Sequence, residues 1–94
     1  MKTNFFSIEE DQLILDLIHN NNNKTKNELT EILFNKYNKK RKRGSYRAKI
    51  DNAINYTLGK GGLENTSNQQ KVVIDDFLRR NCKDTFVQKL KDLK

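Results

Sequence analysis

The 94-residue chain has no proline, no tryptophan, one cysteine and four glycines. With no proline to remove a backbone donor, helix ends must be set by caps, polar turns and the few glycines. A single thiol, Cys82, excludes an internal disulfide. No run of about 18 apolar residues exists to make a membrane-spanning helix, and the amino terminus has no signal-peptide apolar core. With 34% hydrophobic residues, the chain supplies one modest core and not two. These absences predict a soluble, intracellular, all-α protein.

The inventory for chemistry is equally short. His19 and Cys82 are single copies on different segments, too few for a metal site and without a third group to complete a catalytic triad. The glycine cluster at 59–62 lacks the G-K-[ST] ending of a phosphate loop, and Asp75-Asp76 matches no calcium-ligand spacing. The expectation is therefore no enzyme activity, no cofactor, no metal, no small-molecule substrate and no membrane partner.

Charge is what the chain has, and it is concentrated. Of 19 lysines and arginines, Lys36, Lys39, Lys40, Arg41, Lys42, Arg43, Arg47 and Lys49 fall within residues 36–49, with no acid among them. The other eighty residues hold eleven cations against twelve acids, so the net charge of +7 originates in this one segment. Cations confined in this way predict a polyanion partner.

Ser7-Ile8-Glu9-Glu10 has the S-x-x-E form of a capping box and predicts a helix starting at Ile8. Its apolar stripe is Leu13, Ile14, Leu17 and Ile18, and Glu9, Glu10 and Asp11 suit the positive end of the helix dipole. Four asparagines at 20–23 end it. A second helix is predicted over about 27–37, capped by Thr25 or Asn27, with Leu29, Ile32, Leu33 and Tyr37 inward and Phe34 widening that face. A third, over about 43–58, puts Tyr46, Ile50, Ala53, Ile54 and Leu58 on one side; Gly59 supplies the positive φ that stops it. Ser67 and Gln70 suit a helix carrying Val73, Ile74, Phe77 and Leu78, although residues 71–74 alone also fit a strand. Asp84 is the expected cap of a short terminal helix bearing Phe86, Val87, Leu90 and Leu93.

Phe6-Ser7-Ile8-Glu9-Glu10-Asp11 resembles the W-[ST]-x-E-E-D opening of Myb and SANT repeats, with Phe6 in place of the first tryptophan. Arg41-Lys42-Arg43-Gly44-Ser45-Tyr46-Arg47-Ala48-Lys49-Ile50-Asp51-Asn52 resembles the family's R-T-x-x-Q-C-R-x-R-W-x-N, and Leu29 falls near its second tryptophan. The resemblance covers residues 5–58. Asn27-Glu28-Leu29 before a basic turn is also similar to TEA domains, which share the homeodomain-like fold. The resemblance implies a three-helix homeodomain-like helix-turn-helix over 5–58, a linker over 59–70 and a helical extension over 71–94. The architectural alternative is a winged helix like the linker-histone globular domain, in which Lys60-Gly61-Gly62-Leu63 enters a β-hairpin and 72–74 is the returning strand.

In function, the resemblance implies a nuclear protein that binds double-stranded DNA. Lys39, Lys40, Arg41, Lys42 and Arg43 precede a helix start and are the expected phosphate contacts; Lys49 joins them, and Arg47, Asn52 and Asn55 are the candidates for base edges. Five such phosphate contacts imply a salt slope near −4.5. Gly44 and Ala48 stand where the family commonly has long polar side chains, which implies weak base reading. The run at 39–43 also suits a nuclear import signal. Phe77, Leu78, Phe86, Leu90 and Leu93 either cover the core or dock a larger protein complex. The chain resembles in type the small homeodomain-like accessory subunits of DNA N6-adenine methyltransferase complexes. The competing expectation is a SANT-type protein-interaction domain that binds little DNA.

Overall fold

Two reciprocal caps fix where the first helices begin. The Ser7 amide donates to Glu10 Oε1 at 2.7 Å and the Glu10 amide to Ser7 Oγ at 3.1 Å. Thr25 and Glu28 repeat the device at 2.8 and 3.1 Å, which satisfies amides that the first helical turn leaves without partners. The computed structural model describes residues 6–20, 24–37, 41–59 and 67–93. It is built of helices α1 (Ile8–Asn20), α2 (Lys26–Lys36), α3 (Arg43–Thr57), α4 (Asn68–Arg80) and α5 (Lys83–Asp92). No strand occurs among the described residues, and none of the helices is long and apolar enough to cross a membrane.

The central element is α1, which touches every other helix; α2 packs chiefly on α3, and α4 chiefly on α1. This position explains why the burial of α1 differs from the simple stripe. Ile14, Leu15 and Ile18 are buried, while Leu13 and Leu17 are only partly covered. A helix packed on two sides buries a wider arc than one apolar stripe. Leu29 and Leu33 of α2 meet Tyr46, Ile50, Ala53 and Ile54 of α3 in the same core, and Tyr46 is fully buried, stacked on Tyr37 with ring centroids 6.2 Å apart. Gly59 has φ 73°, so it ends α3 in the left-handed region that glycine enters without strain.

The winged-helix alternative fails at 71–74. These residues lie inside α4, because Ser67 Oγ accepts the Gln70 amide at 3.1 Å and Val73, Ile74 and Phe77 reach the core at helical spacing. Residues 60–62 of the glycine cluster, with Leu63, lie outside the described residues. The expected linker over 59–70 is also shortened, since α4 already begins at Asn68 and Gln70 is buried. Asp84 is not the cap of α5; Cys82 holds that position and Asp84 sits in the first turn.

The docking assignment for the carboxy-terminal stripe is corrected as well. Phe77, Phe86 and Leu90 are buried in the common core, and Leu78 and Leu93 pack against it. Phe77 and Phe86 lie 4.9 Å apart by centroid, with the His19 ring edge-on to Phe77 at 5.5 Å. The stripe covers α1, whose outer side would otherwise expose apolar surface to water, so it is not a free docking face. Replacing Phe86 by alanine is therefore expected to lower stability by about 3–5 kcal/mol. Urea unfolding followed by circular dichroism checks it; a loss under about 1 kcal/mol would mean that α5 is an appendage.

Candidate nucleic-acid interface

The basic segment runs from the last residue of α2 into about the first two turns of α3, ending at Lys49. Folding distributes its charges among three environments. Lys39 and Lys40 lie outside the described residues.

Arg41 and Lys49 are inside. The Arg41 guanidinium makes a two-pronged contact with Glu10, Nη2 to Oε1 at 3.1 Å and Nε to Oε2 at 3.3 Å, and the two side chains are only 9% and 5% exposed. Lys49 Nζ lies 2.9 Å from Asp11 Oδ1, with side-chain exposures of 12% and 0%. Both cations also sit on the Phe6 ring, Arg41 at 4.1 Å and Lys49 at 4.8 Å from its centroid, and the same ring meets Tyr46 edge-on. Gln69 of α4 closes the cluster by donating to Asp11 Oδ2 at 2.9 Å and to the Phe6 carbonyl at 2.6 Å, while Gln70 donates to the Lys49 carbonyl at 2.9 Å. Two of the cations expected to meet phosphate, Arg41 and Lys49, are thus internal to the fold.

Arg43 and Arg47 are paired but reachable. Arg43 bonds Glu31 of α2 and lies over the Phe34 ring. Arg47 bonds Asn27 Oδ1 at 2.6 Å and approaches Asp51 at 3.6 Å. With side chains 58% and 41% exposed, these are surface pairs worth about 0–1 kcal/mol. Breaking a buried pair costs about 3–5 kcal/mol. The pairs of Arg43 and Arg47 therefore open at small cost, whereas Arg41 and Lys49 stay bound to their carboxylates.

Lys36 and Lys42 are exposed and pair with no acid among the described residues. Lys42 is the N-cap of α3 and makes no side-chain cap bond, so this helix start has unclaimed backbone donors beside free ammonium charge. Beyond it, Gly44 and Ala48 are exposed and Asn52 and Asn55 are partly exposed. Their spacing gives α3 an outward face that is small and smooth near its start and amide-bearing further on.

Glu10, Asp11, Phe6 and Gln70 are members of this arrangement to which sequence patterning gives other roles, and Gln69 is one to which it gives none. A signal existed for Asp11 and Lys49. Asp11 precedes Ile14, Leu15 and Ile18 by three, four and seven residues, and Lys49 stands between Tyr46, Ile50 and Ala53. Each therefore shares a face with core residues. For Glu10, burial pushes the carboxyl pKa up, but the hydrogen bonds from Arg41 and from the Ser7 amide outweigh it and hold the value below that of a free glutamate.

A pH dependence follows. Because the folded pKa of Glu10 lies below the unfolded one, its contribution is complete above about pH 5 and is lost as pH falls through the folded value. Glu10→Gln should lower the melting temperature at pH 7 and flatten its decline below about pH 4. An unchanged acid profile in differential scanning calorimetry would exclude Glu10 as the group responsible. Comparison with known proteins supplies no relative: no protein-family model, no curated protein and no solved structure matches the chain.

Proposed function

We propose that this chain is a DNA-binding module of the homeodomain-like helix-turn-helix type, working in the nucleus, which grips the phosphate backbone of double-stranded DNA with the α2–α3 turn and the start of α3. The observation that carries the reading is the convergence of exposed Lys42, recruitable Arg43 and Arg47, and a helix start without a side-chain cap, in the one segment that gives the chain its positive charge. Helix dipole, open amides and mobile cations act together on an anion placed there.

Sequence reading is the weaker half. Gly44 and Ala48 offer no hydrogen bond to a base edge; Asn52 and Asn55 supply amides that suit adenine, and Arg47 suits guanine after leaving Asp51. A module of this kind lends general DNA affinity to a larger assembly, such as a DNA-modifying complex of the adenine methyltransferase type or a chromatin complex, more readily than it selects a site.

A second reading, a SANT-type protein-interaction domain, is favoured by two observations. Four of the cations face carboxylates, and Ile8 and Val72 are large apolar side chains left exposed. Salt dependence separates the two readings. With Arg41 internal, about four phosphate contacts by Lys39, Lys40, Lys42 and Arg43 predict a slope near −3.6, and roughly a hundredfold loss of affinity between about 50 and 200 mM salt. Lys42→Ala should make the slope shallower by about 1. Arg41→Gln should lower thermal stability and leave the slope of the folded protein unchanged. No duplex affinity at about 50 mM salt in fluorescence anisotropy would instead support the protein-interaction reading.

A further inference from the structure

Helices α1 and α2 start with the same anion. Counting the N-cap as zero, the third residue is Glu10 in α1 and Glu28 in α2, and each carboxylate accepts the backbone amide of its N-cap, at 2.7 and 2.8 Å. In α3 the N-cap is Lys42 and the third residue is Ser45. Ser45 is exposed, and its hydroxyl makes no hydrogen bond to another described residue. By contrast, Ser7, Thr25 and Ser67 cap helices and Thr30 bonds the Lys26 carbonyl. Exposed Lys42 and Arg43 stand three and two residues before Ser45, and Gly44, with nothing within 4 Å of where a Cβ would be, leaves the approach open.

We propose that Ser45 is a phosphoacceptor for a basophilic serine/threonine kinase, and that its phosphate completes the missing capping box of α3 and closes the turn to DNA. Cations two and three residues before a serine are a charge pattern that an acidic kinase groove selects. Because the start of α3 has no side-chain cap, its first turn opens at small cost to enter such a groove. In the transfer, Ser45 Oγ attacks the γ-phosphorus of ATP. The new O–P bond forms as the bond to the bridging oxygen breaks, ADP leaves, and the hydroxyl proton passes to the kinase's base.

The product carries a charge of about −1.5 to −2 in the position that Glu10 and Glu28 hold in their own helices. It accepts the Lys42 amide, neutralises the Lys42 ammonium and interacts favourably with the dipole of α3. It also occupies the ground a DNA phosphate would take. Phosphorylation therefore acts in opposite directions on two readouts: the fold gains stability and DNA affinity falls. The second effect rests on the DNA-binding reading of the same turn.

The test treats the full chain with a basophilic kinase and ATP, with Ser45→Ala as control. The expected result is one phosphate, mapped to Ser45 by mass spectrometry and absent from the control. In the phosphorylated chain, 31P NMR should give a second phosphate pKa below the usual value of about 6, and Lys42→Ala should bring it back toward that value. The melting temperature should rise, duplex affinity at about 100 mM salt should fall at least about tenfold, and the salt slope should become shallower by about 2. No phosphate on Ser45, an ordinary phosphate pKa with an unchanged melting temperature, or equal duplex affinity with and without phosphate would each overturn the proposal. If the unmodified chain shows no duplex affinity, the DNA-binding reading fails, and the switch with it; the mass and 31P results then decide separately whether Ser45 is a capping phosphoacceptor.

Discussion

Two carboxylates buried at the start of α1 hold this protein together. Glu10 and Asp11 are 4% and 1% exposed, and each is matched by one cation from the turn or from α3. Carboxylates taken out of water are costly unless paired and hydrogen-bonded, and here both conditions are met by the guanidinium of Arg41, the ammonium of Lys49 and the amide of Gln69. The consequence is geometric. The start of α1, the α2–α3 turn, the middle of α3 and the start of α4 are fixed to one another beneath the Phe6 ring. An arrangement in which α3 shifts along α1 by a turn would leave two buried acids without partners, so the network sets the register of the helices as much as it adds stability.

From that constraint comes the division of labour within the basic segment. A cluster of cations with no acid within it suggests a uniform sheet of positive charge. Tertiary structure instead brings acids from α1, α2 and α3 itself to four of the cations, at separations of up to 38 residues in the chain. Magnitudes decide which remain available. The exposed pairs of Arg43 and Arg47 are worth little, whereas breaking the internal pairs of Arg41 and Lys49 costs several times more because it leaves a buried charge unpaired. Among the described residues, the cations left accessible, Lys36, Lys42, Arg43 and Arg47, are fewer than the sequence segment carries.

Local signals were legible in the sequence and long-range ones were not. Caps at Ser7, Thr25 and Ser67, the stop at Gly59 and the core position of Tyr46 follow from interactions within a few residues, and all are present. Leu15 shares a helical face with Ile14 and Ile18, but that this face is buried more deeply than Leu13 and Leu17 depends on how the other helices pack around α1. The spacing of Phe77, Phe86 and Leu90 suits either a core or a docking face, and the packing of α4 and α5 on α1 makes them core. Of the cations that charge alone nominates, Lys42, Arg43 and Arg47 keep accessible side chains. Arg41 and Lys49 were misassigned because charge counting along a chain ignores acids that approach from elsewhere, although Asp11 and Lys49 both show a core-facing spacing.

The central claim is that one basic segment does two jobs, Arg41 and Lys49 holding the core while Lys42 and the start of α3 meet DNA. Titration of the 15N-labelled chain with a short duplex at low salt tests it residue by residue. Shifts are predicted to be confined to the amides of 36–40, to those of 42–48 and to the outward face of α3 at Asn52 and Asn55, with the Arg41 Nε–H resonance unmoved and slow to exchange. Large shifts of Arg41 Nε–H together with Glu10 and Asp11, or shifts centred on α4 and α5 instead, would contradict it.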